Sequence, residues 1–307
     1  MTPNETPAAD LASALSSAPN RERISTGFAH LDALTSGGLP PGTLTVIASR
    51  PGMGRTTLLY DICRHNAIRH HLATGLWTLE ETTEDVATRF LSAETGVPRH
   101  AIQAGTLDEE GWQRIGKRMQ AIQDAPMIVD APPSLTAAEI ASKATELVAE
   151  HGVRLIAIDG IQDIRPEKRN DLREREVGDV VRDLKTLARE LQVPIVATSH
   201  LNRSPEYRLD KRPRLDDLRE SGAITFAADL IVMVHREDYY DPESHRVGEA
   251  DLILAKHRYG HTAMLTVGFQ GHYSRFLDLG PDFNPPRPTG PGFGFANIFK
   301  AGPKEPS

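Results

Sequence analysis

Short apolar runs alternate with longer amphipathic segments along most of this chain. The apolar runs, which are typical of buried strands, lie at 43–48 (TLTVIA), 76–79, 127–130, 153–159 (VRLIAID) and 193–199 (VPIVATS). The segments with a helical pattern lie between them, at 54–70, 83–95, 98–104, 108–123, 136–151 and 174–191. Because parallel strands need a long crossover between them, this alternation predicts an α/β fold, with a mostly parallel sheet flanked by helices on both faces.

The pattern changes after Asp229, where apolar segments follow one another with only turns between them. These segments are 229–236 (DLIVMVHR), 250–257 (ADLILAKH) and 262–269 (TAMLTVGF). Closely spaced strands of this kind are typical of antiparallel neighbours, so we expect antiparallel strands added at the C-terminal edge of the sheet.

The two ends of the chain differ in composition from its centre. Residues 1–23 are rich in Ala, Ser, Pro and Asn, which predicts a disordered lead-in. Residues 280–307 contain seven Pro and five Gly, which predicts a disordered tail after a single domain at 24–279. The tail is either an inert linker or, through Phe293, Phe295 and Phe299, a docking peptide.

The bulk composition narrows the function classes. A net charge of −7 means that any contact with nucleic acid needs a local basic surface. Cys63 is the single cysteine, so no internal disulfide can form, which favours a reducing cytoplasm. No apolar run approaches the ~20 residues that span a bilayer, and the N-terminus lacks a signal-peptide pattern, so no membrane association is expected.

The first predicted strand runs into a glycine-rich loop that precedes a helix. The loop residues are Ser49, Arg50, Pro51, Gly52, Met53, Gly54, Arg55, Thr56 and Thr57. A strand, such a turn and a helix N-terminus together form an anion site, because backbone N–H groups and the helix dipole attract phosphate. Thr56 is placed to put its hydroxyl on Mg²⁺. By spacing alone, an ordinary strand-to-helix loop remains the alternative.

The loop departs twice from the usual G-x-x-x-x-G-K-[ST] pattern, with Ser49 at the first Gly and Arg55 at the Lys. Arginine presents a wide planar fork where lysine delivers a compact charge. The fork can still pair with phosphate oxygens, but a misplacement of ~1 Å at the transferring group can lower a rate ~100-fold. We therefore expect nucleotide binding with weak hydrolysis.

The surrounding motifs resemble a known family. STGF at 25–28, LD at 31–32, GGL at 37–39 and RPGMG-x-T at 50–56 resemble the start of the RecA-like motor domain of the DnaB, RadA and KaiC group. The stretches RPRLDDLRESG from Arg212 and REDYYDP from Arg236 favour DnaB, and the resemblance continues to Leu279. It implies a RecA-like P-loop NTPase that uses ATP and Mg²⁺, forms a hexameric ring and acts on single-stranded DNA in replication.

The resemblance also assigns catalytic roles. It implies that Asp159, at the end of a strand, holds Mg²⁺ with Thr56, and that Glu80 polarises the attacking water. Spacing alone would make Asp159 a strand-end turn residue and Glu80 an N-terminal helix acid. His200 stands where the family has a Gln sensor. Where the family reads D-Y-L-Q-L, this chain reads Asp159-Gly160-Ile161-Gln162-Asp163. Gln162 is retained, the aromatic residue is lost, and an acid enters at Asp163.

LILAKHRYG resembles the family strand whose basic residues reach the nucleotide of a neighbouring subunit. Lys256 and Arg258 take those positions, and an arginine supplied in trans stabilises charge on the transferring phosphoryl group. Without the family, Arg258 would be an exposed edge-strand residue.

Two loops match the family segments that line a central channel and hold single-stranded DNA, at 165–176 and 201–214. The second has five basic and two acidic side chains, and the first is nearly neutral with five and four. The candidate DNA contacts are Lys168, Arg169, Arg203, Tyr207, Arg208, Lys211 and Arg212. Basic residues beside an aromatic suit backbone tracking and base stacking, although a solvated charged loop is the alternative.

Only about 24 residues precede the STGF motif, so the chain resembles the motor domain without the N-terminal collar domain of DnaB. The sequence therefore predicts a DnaB-type ATP-dependent helicase motor, whose tail could dock other replication proteins. A catalytically weak nucleotide-binding regulator or adaptor of a helicase ring is the alternative, and a RadA-like or KaiC-like ATPase is less favoured.

Overall fold

A computed structural model describes residues 22–219 and 221–279. Nearly all of the predicted lead-in and the whole tail with its Phe residues lie outside the described residues. The strands are β1 (Leu44–Ser49), β2 (Thr74–Thr78), β3 (Met127–Asp130), β4 (Leu155–Asp159), β5 (Ile195–His200), β6 (Leu230–His235), β7 (Glu249–His257), β8 (Ala263–Gln270) and β9 (Arg275–Leu277). They form one sheet in the order β3-β2-β4-β5-β1-β6-β7-β8-β9.

The six predicted helices are present and begin within one residue of their predicted positions, and α1, α8 and α9 were not predicted. They are α1 (Ala29–Leu34), α2 (Arg55–Arg64), α3 (Thr83–Thr95), α4 (Arg99–Ala104), α5 (Glu109–Gln123), α6 (Ala137–His151), α7 (Arg173–Leu191), α8 (Ser204–Tyr207) and α9 (Ser221–Ala227). A π-helical turn at His65–Arg69 continues α2, so the predicted helix over 54–70 is α-helical only in its first part. Thr136 and Glu139 form a capping box that fixes the start of α6.

The prediction of a mostly parallel sheet is confirmed, with one correction to the direction of a strand. Strands β1 to β5 are parallel, and β7, β8 and β9 are antiparallel to their neighbours as expected for the C-terminal edge. The prediction for 229–236 was wrong, because β6 pairs with β1 in parallel. The connection at 201–229 contains α9, which packs against α7 and returns the chain to the start of β1, and it therefore acts as a crossover.

Helices cover both faces of the sheet. On one face, α6 and α7 bury residues such as Ile140 and Leu184 against the central strands. On the other face, α2 and α3 bury Leu58, Leu59 and Phe90. The central strands are buried on both sides, which explains why they are continuous apolar runs in the sequence. In the part of the chain that the structure describes, no helix is long and apolar enough to cross a bilayer.

Asp229 joins four elements at the edge of the sheet where β1 and β6 begin. Its side chain is 1% exposed and accepts hydrogen bonds from the Leu44 N–H at 2.9 Å, from Lys185 Nζ at 2.5 Å and from an Arg258 amino group at 2.8 Å. A buried carboxylate is tolerated when its oxygens are satisfied in this way. Asp229 therefore fixes β6 beside β1 and ties both strands to α7 and β7.

We expect Asp229→Ala to lower the free energy of unfolding by about 3 kcal/mol, because Lys185 would keep a half-buried charge without its partner. The control is Asp179→Ala, which removes an ion pair to Arg182 whose side chains are 56% and 60% exposed. That change should lower stability by less than about 1 kcal/mol. Denaturant unfolding of the three chains measures both effects, and equal losses would contradict the role of Asp229.

Candidate functional site

The order of the sheet places the C-terminal ends of β2, β4, β5 and β1 side by side. Ligands of open α/β sheets bind at this edge, outside the carboxyl ends of the strands. The glycine-rich loop follows β1 there and leads directly into α2, which begins at Arg55. Thr56, Glu80, Asp159, Gln162 and His200 lie at the same edge, so the predicted nucleotide-contacting residues of this subunit are brought together.

Two glycines give the loop its turn. Gly52 and Gly54 have φ values of +79° and +104°, in the left-handed region that side chains disfavour. A Cβ atom on Gly54 would lie 2.7 Å from the Phe276 ring of β9, and one on Gly52 would lie 2.9 Å from the Tyr239 ring. The loop is thus packed from outside by two aromatic rings and has no room for side chains at these positions.

Ser49 and Arg50 occupy the start of the loop. Ser49 is the last residue of β1, where a side chain is compatible with the backbone, and its hydroxyl donates to the Arg50 carbonyl at 2.8 Å. Arg50 extends away from the loop and donates to a Glu206 carboxylate oxygen at 2.8 Å and to the Leu201 carbonyl at 2.9 Å. The phosphate loop is therefore linked to the loop that follows β5, a contact that spacing in the sequence did not indicate.

The motif upstream of β1 has a structural role. Asp32 accepts hydrogen bonds from the Thr26 N–H at 2.8 Å and from the hydroxyls of Ser25 and Thr26 at 2.5 and 2.6 Å. Gly27 has a φ of +84° and packs against the ring of His65. The STGF and LD motifs thus close a turn against the end of α2.

Asp159 has an oxygen available for a cation. Its Oδ1 accepts a hydrogen bond from the Thr198 hydroxyl at 2.6 Å and from the Thr56 hydroxyl at 3.2 Å. Its Oδ2 is buried and has no hydrogen-bond partner among the described residues. Burial raises the pKa of Asp159 to about 6, so a positive charge nearby would favour its ionised form. A buried free carboxylate oxygen beside a threonine hydroxyl is a donor set that Mg²⁺ accepts.

The side chain of Arg55 forms an ion pair with Glu80, which follows β2. One amino group of its guanidinium donates to Glu80 Oε1, and the side chain of Arg55 is only 7% exposed. The other amino group, NH1, is buried without a hydrogen-bond partner among the described residues. Because guanidinium is always charged, this buried donor is suited to an anionic ligand in the loop.

Glu80 is in contact with two further groups. His200 Nε2 lies 3.5 Å from Glu80 Oε1, and a hydrogen bond also joins Glu80 to Asp163. The hydrogen bond from His200, together with the charge of Arg55, lowers the pKa of Glu80 to about 2. Burial and the charge of Glu80 raise the pKa of Asp163. Three of the residues that depart from the family pattern, Arg55, Asp163 and His200, thus contact the same carboxylate, that of Glu80.

Gly160 makes this convergence sterically possible. It has a φ of +102°, and a Cβ atom there would overlap the carboxylate of Asp163. Gln162 holds the same turn to β5, because its amide donates to the Ser199 hydroxyl at 2.9 Å and accepts from the His200 N–H at 3.3 Å. The loss of the aromatic residue and the gain of an acid in this turn are therefore coupled changes.

Lys256 and Arg258 lie at the opposite edge of the sheet from the phosphate loop. Arg258 pairs with Asp229, and Lys256 Nζ donates to the carbonyls of Thr225, Phe226 and Ala228 at 2.6, 3.2 and 2.6 Å. The five steps along the six residues of β1 separate this edge from the loop by roughly 17 Å at ~3.3 Å per residue. Neither side chain is near the nucleotide site of its own subunit.

The predicted DNA-contacting residues have two kinds of environment. Arg208 pairs with the buried Asp217 at 2.5 Å, Lys211 donates to the Glu206 carbonyl at 3.0 Å, and Arg212 lies 3.7 Å from Asp251. These three hold the loop after β5 in place. The exposed candidates are Lys168, Arg169, Arg203 and Tyr207. The Tyr207 side chain is 81% exposed, beside the fully exposed Leu209.

We expect the backbone of the loop to tolerate no side chain at Gly54. Gly54→Ala should lower the free energy of unfolding by about 1–3 kcal/mol, because φ of +104° is strained for alanine and its Cβ meets Phe276. Gly116→Ala is the control, since Gly116 lies within α5 with open space around it. That change should stabilise the chain by about 0.4–1 kcal/mol. Thermal unfolding measures both changes in stability. A change of the same sign in both variants would contradict this packing of the loop.

Comparisons with known proteins identify the family of this chain. A family model described as the DnaB-like helicase C terminal domain matches residues 23–278. The replicative DNA helicase DnaB of Leifsonia xyli subsp. xyli (strain CTCB07) is 46% identical over 258 residues, which cover 84% of this chain and 56% of that protein. The replicative DNA helicase DnaC of Bacillus subtilis (strain 168) is 35% identical over 257 residues, 83% of this chain and 56% of that protein. The chain thus spans little more than half the length of these relatives.

Two solved structures share the fold over most of the chain. The ATPase domain of G40P superposes with a TM-score of 0.81 at 29% identity, covering 89% of this chain and 98% of that one. A DnaB-like replicative helicase, described with its interactions with primase, gives a TM-score of 0.81 at 30% identity and covers 89% of this chain and 66% of that one. The chain belongs to the DnaB-like helicase C-terminal domain family.

Proposed function

We propose that this chain is the motor domain of a DnaB-type, ATP-dependent DNA helicase, and that it binds Mg²⁺-ATP in the loop from Ser49 to Thr57. One observation carries the proposal. The free Oδ2 of Asp159, the hydroxyl of Thr56 and the free NH1 of Arg55 are all found at the mouth of one glycine-rich turn. A carboxylate oxygen suits a metal ion and a guanidinium suits phosphate, so a metal–triphosphate complex satisfies both buried groups.

The residues of this site then have distinct roles. Thr56 and Asp159 hold Mg²⁺, which neutralises negative charge on the phosphates when it is bound. The backbone N–H groups of the loop bind the phosphates. Glu80 orients the attacking water, and Gln162 with His200 connects the end of β4 to that of β5 beside it.

The ion pair between Arg55 and Glu80 gives the expected weak hydrolysis a physical cause. Glu80 Oε1 accepts from Arg55 and is also within 3.5 Å of His200 Nε2, so this oxygen is not free to orient water. An arginine fork also presents its two amino groups in fixed directions, whereas lysine follows the phosphates as a point charge. Hydrolysis is therefore slow until Glu80 is released.

We expect Arg55→Lys to raise ATP turnover by about tenfold or more, because Glu80 would be released and the transferring phosphate would be held by a compact charge. The measurement is ATP turnover with and without single-stranded DNA. Arg89→Lys is the matched control, since Arg89 pairs with the adjacent Glu81 at 2.5 Å and lies outside the loop. It should leave turnover unchanged. Native turnover at ordinary helicase rates, or no gain in Arg55→Lys, would contradict the restraint on Glu80.

We further propose that the motor works as a hexameric ring, in which Arg258 acts on the nucleotide of the next subunit. The distance of Arg258 from the loop of its own subunit supports a role in trans. Its side chain is 43% exposed, and Lys185 would still compensate Asp229 if Arg258 turned outward. An arginine supplied by a neighbour stabilises the transition-state charge.

Single-stranded DNA is the proposed substrate of the loops at 165–176 and 201–214. Arg203 and Tyr207 are exposed on the second loop, where a cation can contact phosphate and a ring can stack on a base. Arg50 joins this loop to the phosphate loop through Glu206. A change at the nucleotide can therefore be transmitted to the DNA by one ion pair.

We expect Arg203→Ala and Tyr207→Ala each to weaken binding of single-stranded DNA by roughly tenfold, because a phosphate contact or a stacked base is lost. Arg203→Ala should also reduce the slope of the logarithm of the binding constant against the logarithm of the salt concentration by about one, because one counterion fewer is released. Tyr207→Ala should leave this slope unchanged. Fluorescence anisotropy at several salt concentrations separates the two. Arg182→Ala on the exposed face of α7 is the control, and an equal loss there would contradict a specific DNA surface.

A nucleotide-binding regulator of a helicase ring is a second candidate function. The convergence of Arg55, Asp163 and His200 on Glu80 favours it, because a motor with its water-orienting carboxylate held would bind ATP without cycling. Duplex unwinding by the isolated chain would exclude this candidate.

A further inference from the structure

Three metal-ligating side chains meet beside the phosphate loop, at the ends of three adjacent strands. Glu80 follows β2, Asp163 lies in the short turn after β4, and His200 is the last residue of β5. One ligand atom of each lies within 4.8 Å of the other two. In the described residues, this is the one group of three such side chains whose ligand atoms are so close.

The spacing is close to that of a metal centre. An ion with bonds of about 2.1 Å holds tetrahedral ligand atoms about 3.4 Å apart, so small side-chain rotations would bring the three atoms to bonding distance. The Glu80 and His200 side chains are 34% and 27% exposed, and Asp163 is exposed as well. An ion can therefore reach the three groups from solvent and keep water as a further ligand.

The backbone around the cluster is fixed. Gly160 leaves the space that the Asp163 carboxylate occupies, and Gln162 binds both the Ser199 hydroxyl and the His200 N–H. His200 is the last residue of β5 and Glu80 lies two residues after β2, and both strands belong to the parallel part of the sheet. Metal centres need such support, because ligands that are already oriented lose less freedom on binding.

We propose that Glu80, Asp163 and His200 form a site for a divalent transition-metal ion such as Zn²⁺, separate from the Mg²⁺ position at Thr56 and Asp159. Imidazole is a ligand of Zn²⁺ and related ions, whereas Mg²⁺ prefers oxygen ligands alone. Two carboxylates and a neutral imidazole balance the charge of one divalent ion. The ion replaces the contacts that Arg55 and Asp163 make with Glu80.

The metal site has a consequence for turnover that rests on the proposed function. An ion bound to Glu80 occupies the carboxylate that orients water, so micromolar Zn²⁺ inhibits ATP hydrolysis in a way that Mg²⁺ does not reverse. Binding of the ion itself does not depend on hydrolysis. If the chain proves not to be a helicase motor, the measurement of Zn²⁺ binding still tests the metal site.

The test is Zn²⁺ binding to the metal-free full chain, measured by competition with a chromophoric chelator, with Co²⁺ absorption as a spectroscopic readout. We expect one tight site per native chain, and affinity at least about tenfold lower in His200→Gln and in Asp163→Asn. His70→Gln is the matched control, because His70 lies 3.1 Å from His65 in the closest histidine pair that a zinc ion could use instead. This control should bind Zn²⁺ as the native chain does.

Circular dichroism of each variant establishes that it is folded. The proposal is overturned if His200→Gln and Asp163→Asn are folded and bind Zn²⁺ as tightly as the native chain, or if His70→Gln removes the tight site. It is also overturned if the native chain has no tight site.

Discussion

The parallel order of β2, β4, β5 and β1 is the constraint on which the site depends. Because these strands point the same way, the residues that follow each of them meet at one edge, although they are up to 144 positions apart in the chain, from Thr56 to His200. Asp229 secures the other end by joining β1, β6, α7 and β7. The chemistry of one edge is thus held in place by a buried carboxylate at the opposite edge.

Glu80 is the centre of that chemistry. In a motor, a water-orienting carboxylate needs one free oxygen and a stable position. Here Arg55, Asp163 and His200 fix the position of the Glu80 carboxylate, and their contacts occupy the oxygen that would orient water. Three changes that look independent in the sequence therefore act on a single carboxylate, that of Glu80. A weak hydrolase, a regulator and a motor inhibited by a metal ion are the three proposals that this arrangement supports, and they differ in whether Glu80 is released or stays occupied.

The fold was predictable because its signals are local. Apolar runs, segments with a helical pattern and the glycine-rich loop each reveal an element without knowledge of its neighbours. The direction of β6 was not predictable in this way, since it depends on the packing of α9 against α7. The contacts of Arg55 with Glu80 and of Arg50 with Glu206 also join distant segments, 25 and 156 residues apart, and no spacing rule connects such pairs.

At the site as well, local sequence signals predict some features and only the three-dimensional structure shows others. Thr56 and Asp159 are predictable from motif position, whereas the free Oδ2 that suits them to a cation is seen only in three dimensions. The most direct test is calorimetric binding of a nonhydrolysable ATP analogue to the unmodified chain, with Mg²⁺ and with EDTA. Binding should be clear with Mg²⁺ and at least about tenfold weaker without it, as expected for a metal-bridged triphosphate. No binding, or equal affinity in EDTA, would contradict a Mg²⁺-nucleotide site in this loop.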